Sequence, residues 1–307
     1  MSNVKTVKVD KSRRIKKSLG SRIADFCIYF FLIFFALMII IPFYNMLLIS
    51  FATFADVVNT PFYWYPKSIT FDSYRAILED AQFLRSIRVS VFNTLFGTGT
   101  SLIITVFAAY VLSRNDLPFR KAMFYFCIFT MFFSAGLIPW FVVIMRIGLA
   151  NNLFVMTVPA MLSTFNMILV RNYFLSLPES LEESARLDGA GEFVIMFKIM
   201  VPLSMPIIAT VALFYAVAYW NEWWTALIFI HDRNLFPLNY LLRLLVIENS
   251  ADLLNEMANA MRMGRTPSHS RSLQMASVTV ATIPILLVYP FLQRYFTKGI
   301  MLGAIKA

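Results

Sequence analysis

Apolar residues in this chain come in long runs rather than in alternation with polar ones. A helix that crosses a bilayer needs about 20 mainly apolar residues. Stretches of that kind lie at 26–51, 89–113, 122–145, 153–170, 199–230 and 273–292. The first two contain no charge. The fourth is short for a span, and the fifth is too long for one and is interrupted by Glu222. The pattern predicts an all-α membrane protein with six transmembrane helices. A basic segment precedes the first run, as in a secretory signal. The run is longer than the ~7–15 apolar residues of such a signal, and no small-residue cleavage site follows it. It is expected to stay as the first helix.

Composition narrows the class. Of the 307 residues, 59% are hydrophobic and 14% are charged, against about 25% charged in soluble domains. Mean hydropathy is +0.69. A soluble globular enzyme and a disordered chain are both excluded. The net charge of +10 would also suit a nucleic-acid binder, so the location of the charge decides. With the N-terminus cytoplasmic, 17 of the 27 Lys and Arg fall on the cytoplasmic side, where membrane orientation places them. Eight precede residue 25. The others are Arg114, Arg120, Lys121, Arg171, Arg186, Lys198, Arg294, Lys298 and Lys306. An even number of spans puts both termini in the cytoplasm. The partner is then membrane lipid, and no nucleic acid is expected.

This divides the chain into a basic cytoplasmic segment (1–25), a six-helix transmembrane domain (26–293) and a cytoplasmic tail (294–307). Extracytoplasmic loops are expected at about 52–88 and 231–272. The first holds Phe62, Tyr63, Trp64 and Tyr65, a cluster suited to the membrane interface. The second ends in a stretch rich in Gly, Pro and Ser, 264–272, which reads as flexible.

Catalytic and cofactor motifs are missing. The sequence has no phosphate-binding glycine loop and no His-x-x-x-His pair. Cys27 and Cys127 sit in apolar runs, where a cysteine behaves as a small hydrophobe. No cofactor or metal is expected on this chain, and any ATP hydrolysis would belong to another one.

The cytoplasmic stretch at about 173–202 is different in character. Pro178 can open a helix. Glu179, Glu182 and Glu183 suit the positive end of its dipole. Leu181, Ala185 and Leu187 or Asp188 repeat at helical spacing. Gly189 and Gly191 then break the helix, and a second, apolar helix runs from Glu192 into Pro202. A short helix, a glycine turn and a return to the membrane would offer a knob to a soluble partner. Glu183 is equally what a solvated helix start would carry.

Glu183-Ser184-Ala185, Gly189 four positions on, and Ile199, Val201 and Pro202 at the end resemble the EAA loop of ATP-binding cassette (ABC) importer permeases. Ser184 and Val201 depart from the family pattern without changing size much. The stretches 133–139, 165–172, 215–224 and 295–306 extend the likeness. They are similar to carbohydrate permeases related to the smaller maltose permease, above all to the polysaccharide and oligosaccharide branch of Gram-positive bacteria. The resemblance implies a type I ABC importer permease fold in the cell membrane. It implies a second, different permease subunit, two copies of an ATPase that binds ATP and Mg, and an extracytoplasmic sugar-binding lipoprotein. Glu183, Ser184, Ala185, Arg186, Asp188, Gly189, Ile199 and Pro202 would couple to the ATPase. The loop 231–272 would face the binding protein.

Candidates for a sugar path lie in the fifth run, at Trp220, Asn221, Glu222, Trp223 and Trp224. Sugars stack on aromatic faces and bond to amides and carboxylates, and an acid at membrane depth is a functional candidate. On a continuous helix Trp220, Trp223 and Trp224 would share a face. An interfacial belt has the same composition. Asn93 in the second run and Asn166 in the fourth would either line the path or bond a neighbouring helix, worth about 1 kcal/mol. The expected function is import of a carbohydrate, an oligosaccharide in particular. The alternatives are an ion-coupled secondary transporter that uses Glu222, an ABC importer of a non-sugar solute, and a membrane enzyme.

Overall fold

The computed structural model describes residues 19–53, 56–57, 63–65, 68–246 and 271–304, with side chains from 20 to 288 among them. All regular structure in these residues is helical. The N-terminal segment before residue 19, Phe62 of the aromatic cluster and the stretch 247–270, with most of the expected Gly/Pro/Ser-rich end, lie outside the described residues.

Helix α1, Leu19–Ser50, is unbroken across 32 residues. At 1.5 Å per residue it is about 48 Å long, ample for a hydrocarbon core of about 30 Å. Pro42 lies inside it and removes one backbone donor. No residue in the most apolar stretch of α1 is buried within the chain. Such a face is at ease only in lipid or against another membrane protein.

A short helix α2, Asp72–Glu79, leads into α3, Ala81–Ser113. Helix α3 starts eight residues before its apolar run. The Asp80 carboxylate accepts the backbone N–H groups of Gln82 and Phe83 at 2.7 and 3.2 Å, which satisfies two donors of the first turn. The outer loop expected over 52–88 therefore ends in ordered helix.

Three of the expected spans are bent. The third divides into α4, Arg120–Phe132, and α5, Leu137–Arg146, at 112°. The break falls before Gly136, whose φ of +85° is open to glycine alone at little cost. In the fourth, a 3₁₀ stretch at Leu153–Ala160 meets α6, Thr164–Phe174, at 46°. Beyond it come α7, Glu179–Leu187, in the stretch expected to be cytoplasmic, and α8, Glu192–Leu203, which carries one wide π turn at Met196–Met200.

The fifth run holds α9, Met205–Trp220, set at 82° to α8, and α10, Trp224–Phe229. Helix α9 ends at Trp220, so the common face expected for Trp220, Trp223 and Trp224 is not formed. Two side chains account for the break. Asn221 folds its amide back onto the Val217 carbonyl at 2.8 Å. Glu222 accepts the Thr225 N–H at 2.7 Å and so starts α10. Residues 238–246 form α11. Helix α12, Arg271–Ala304, continues straight through the boundary expected at 293. Among the described residues three helices are thus long and apolar enough to cross a membrane alone, and each bent pair counted as one span would bring the number to six.

Helix α3 is the centre of the packing, with α6 and α9 against it and α12 behind α9. A polar stripe at four-residue spacing joins α3 to α9. Asn93 donates to the Tyr219 carbonyl at 3.2 Å, the Ser101 hydroxyl meets the Tyr219 hydroxyl at 2.8 Å, and Thr105 meets the Tyr215 hydroxyl at 2.7 Å. Gly97 lies between the first two. A Cβ there would come within 2.8 Å of the Tyr219 ring, so the close approach of these helices depends on glycine. With no water in the hydrocarbon, polar groups must find partners of this kind.

Candidate coupling surface and outer aromatic cluster

Two regions carry the residues singled out by the sequence, at opposite ends of α9.

The first is the turn at the end of α7. Its end is a Schellman cap: Gly189 at φ +82° donates to the Arg186 carbonyl at 3.0 Å, and Ala190 donates to the Ala185 carbonyl at 2.9 Å. Ala185 and Ala190 pack on the α3–α6 core. No residue of α7 is fully buried. Glu183, Ser184, Arg186, Asp188 and Gly189 are exposed, and Ile199 is half-buried in α8. Pro202 is exposed just before the α8–α9 bend. Leu187, on the last turn beside the glycine, is 89% exposed.

An ionic network holds this turn to the end of α3. Arg114, at the C-terminal cap of α3, pairs with Glu182 and reaches Glu192 at 3.8 Å. Arg186 pairs with Glu192 at 2.7 Å. Tyr110 donates to the other Glu192 oxygen at 2.6 Å. One arginine thus ties both arms of the loop to a membrane-crossing helix. Burial pulls the Arg114 guanidinium downward, but the bond to Glu182 and the surrounding carboxylates outweigh it and raise its pKa above the ordinary arginine value. Arg114 is a cation at every physiological pH. A cavity of about 200 Å³ opens between α7 and the end of α3, lined in part by Arg114, Glu179, Glu182, Glu183 and Arg186. Sequence reading missed Arg114, Glu192 and Leu187. The charged pair lies 68 residues apart, and a leucine at helical spacing reads as core.

The second region is the break at 221–223. Trp220 is buried and donates its indole N–H to the Ala281 carbonyl of α12 at 3.2 Å. Asn221 is exposed, and Glu222 and Trp223 are half-buried. Trp224 is 48% exposed and meets Trp223 edge to face at 5.5 Å. Arg243 of α11 lies over the Trp223 ring at 3.9 Å. Asn93 is fully buried in the α3–α9 seam, and Asn166 is buried in the first turn of α6. The structure therefore brings Asn221, Glu222, Trp223 and Trp224 together with Arg243. It sets Trp220 and Asn93 behind them in packed interfaces and Asn166 on a different helix. Among the described residues no three His, Cys, Asp or Glu side chains gather as a metal site.

Residues 101–302 match the sequence pattern of the binding-protein-dependent transport system inner membrane component family. The chain belongs to this family. It is 42% identical over 290 residues to the polygalacturonan/rhamnogalacturonan transport system permease protein YtcP of Bacillus subtilis, covering 94% of this permease and 100% of that protein. It is 38% identical to the protein LplC of the same organism, covering 94% and 96%. Its fold matches a chain of a bacterial ABC transporter involved in import of the acidic polysaccharide alginate, with a TM-score of 0.83 at 33% identity, covering 91% and 99%. A second match has a TM-score of 0.57 at 16% identity and shows the fold alone; it comes from the alginate transporter in complex with a pentasaccharide-bound periplasmic protein. This permease is a carbohydrate-type ABC importer subunit with the type I fold, a membrane protein and a transport component rather than an enzyme.

Proposed function

We propose that this permease forms, with a second and different permease, the translocation path of an ATP-driven, binding-protein-dependent oligosaccharide importer in the cell membrane of a Gram-positive bacterium. Six spans with both termini in the cytoplasm fit the three long helices and three bent pairs and the distribution of basic residues. An extracytoplasmic binding lipoprotein would deliver the sugar near the loop 231–272. Two copies of a separate ATPase would hold ATP and Mg.

The observation that carries the coupling reading is the exposed α7 knob tied to α3 through Arg114 and Glu182. A partner that grips α7 moves α3, and α3 is bonded to α9 along the Asn93–Thr105 stripe. Motion at the cytoplasmic knob then reaches the break at 221–223 through rigid helices. In this reading Glu183, Ser184, Arg186, Asp188 and Leu187 face the ATPase. Ala185 and Gly189 shape the turn, and Ile199 and Pro202 carry it back to the membrane. Asn221, Glu222, Trp223 and Trp224 line the outer part of the path. Trp220, Asn93 and Asn166 hold the helices behind it. The names of the relatives, which concern polygalacturonan, rhamnogalacturonan and alginate, support a sugar polymer fragment as cargo.

The test is uptake of a labelled oligosaccharide into proteoliposomes that contain both permeases and the ATPase, with the loaded binding protein outside. Uptake should require ATP inside and survive ionophores. Uptake driven by an ion gradient with no ATPase present would overturn the proposal in favour of a secondary transporter.

A further inference from the structure

We propose that Arg243, held on Trp223 at the outer break, reads a carboxylate on the transported sugar, which makes the cargo an acidic oligosaccharide. This rests on the oligosaccharide-import reading above and adds to it the charge class of the substrate and the residue that selects it.

The guanidinium lies 3.9 Å from the centre of the Trp223 ring, and Arg243 is half-buried. No carboxylate pairs with it among the described residues. Glu222, the acid next to Trp223, is engaged instead with the Thr225 N–H at 2.7 Å. The contrast with Arg114 is informative. There a shielded arginine at a helix end is matched by Glu182 and Glu192 of the chain itself. A partly desolvated cation without such a match is costly near a membrane. An arginine stacked on a ring keeps its N–H edge for a planar anion, which it can grip with two parallel bonds. Trp223 and Trp224, set edge to face at 83°, provide the aromatic faces that sugar rings pack on, and Asn221 adds an exposed amide.

The distribution of basic residues points the same way independently. The two loops assigned to the outside, 52–88 and 231–272, hold eight arginines and a single lysine, Lys67. In the rest of the chain the two residue types are equal, at nine each. Charge balance alone does not distinguish arginine from lysine. Recognition of carboxylates does, because only the guanidinium presents a bidentate fork.

The experiment measures uptake of labelled trigalacturonate and of its neutral trimethyl ester by cells that carry the complete importer. Wild type, Arg243→Gln and Arg243→Lys are compared at equal membrane levels, with the binding protein unchanged. Wild type should import the acid. Arg243→Gln should lower acid uptake by about tenfold or more, the scale of one lost charge-assisted bond, and leave ester uptake within about twofold of wild type. Arg243→Lys keeps the charge without the fork and should fall between, so it decides the matter if the glutamine variant does not reach the membrane. Equal losses for acid and ester, or no loss for either, would make Arg243 a packing residue and overturn the proposal. Wild type that imports the ester but not the acid would overturn the charge assignment while the import reading stands. Wild type that imports neither would overturn this inference, and the ATP-dependent uptake test above then decides the import reading separately.

Discussion

Leu187 offers a clean perturbation of the coupling surface. It is 89% exposed, at the end of a helix with no buried residue, one residue before the Asp188 cap. Its removal should leave the isolated permease intact, with a stability change within about 0.5 kcal/mol, as for other surface substitutions. If the ATPase covers it, the cost appears only on docking. Burying a leucine side chain that was fully exposed is worth about 1.5–3 kcal/mol. Leu187→Ala forfeits most of that, about 2 kcal/mol, or roughly a thirtyfold loss of affinity at 1.4 kcal/mol per decade. The assay is titration of the permease pair in nanodiscs with fluorescently labelled ATPase, alongside thermal unfolding of the permease pair alone. Affinity unchanged within about twofold would show that the knob does not bury Leu187. A marked fall in thermal stability of the free permease would show that the exposed placement is wrong.

Other expected outcomes follow from the same geometry. Arg114→Gln leaves Glu182 without its cation, while Glu192 keeps Arg186 and Tyr110, and should uncouple the loop, cutting sugar-stimulated ATP hydrolysis by about tenfold, the effect of one lost bond between charged groups; a charge-reversed pair, Arg114→Glu with Glu182→Arg, should recover part of it. Gly189→Val, forced to φ +82°, should cost about 1–3 kcal/mol in the turn and lower stimulated ATPase activity, with Gly189→Asn milder because asparagine tolerates that region. Gly97→Ala places a methyl 2.8 Å from the Tyr219 ring and should destabilise the helix seam by about 1–3 kcal/mol, read as a lower unfolding temperature. Glu222→Gln keeps an oxygen for the Thr225 N–H and should retain uptake, whereas a proton- or sodium-binding role would make it inactive.

The parts of the fold visible in the sequence are those whose signals are local. The α7 turn is the clearest case, because Pro178, the early acids and Gly189 each answer to the backbone within a few residues, and the cap at Arg186 and Ala185 follows. Hydrophobic run length marks the candidate membrane segments but not their direction. Apolarity is the same on both sides of a bend, so the breaks at Gly136, Ser204 and Asn221 were hidden. In the sequence Glu222 stands out as an intruder in an apolar run, and its structural work is to start a new helix. Long-range matches were out of reach altogether. Nothing adjacent to Arg114 announces Glu182, and nothing near Trp223 in sequence announces Arg243. For the two asparagines in apolar runs, the sequence is compatible with either path or seam. The structure puts Asn93 on the Tyr219 carbonyl, inside the seam.

In the proposed coupling, transport by this permease depends above all on α7 transmitting ATPase motion to the membrane helices. The measurement is ATP hydrolysis by the purified complex of both permeases, ATPase and binding protein in nanodiscs, with Glu183→Lys beside wild type. Sugar-loaded binding protein should stimulate the wild type, and the variant should lose that stimulation while the permease pair remains folded. Full stimulation in Glu183→Lys, together with solute uptake that needs no ATPase, would contradict the account.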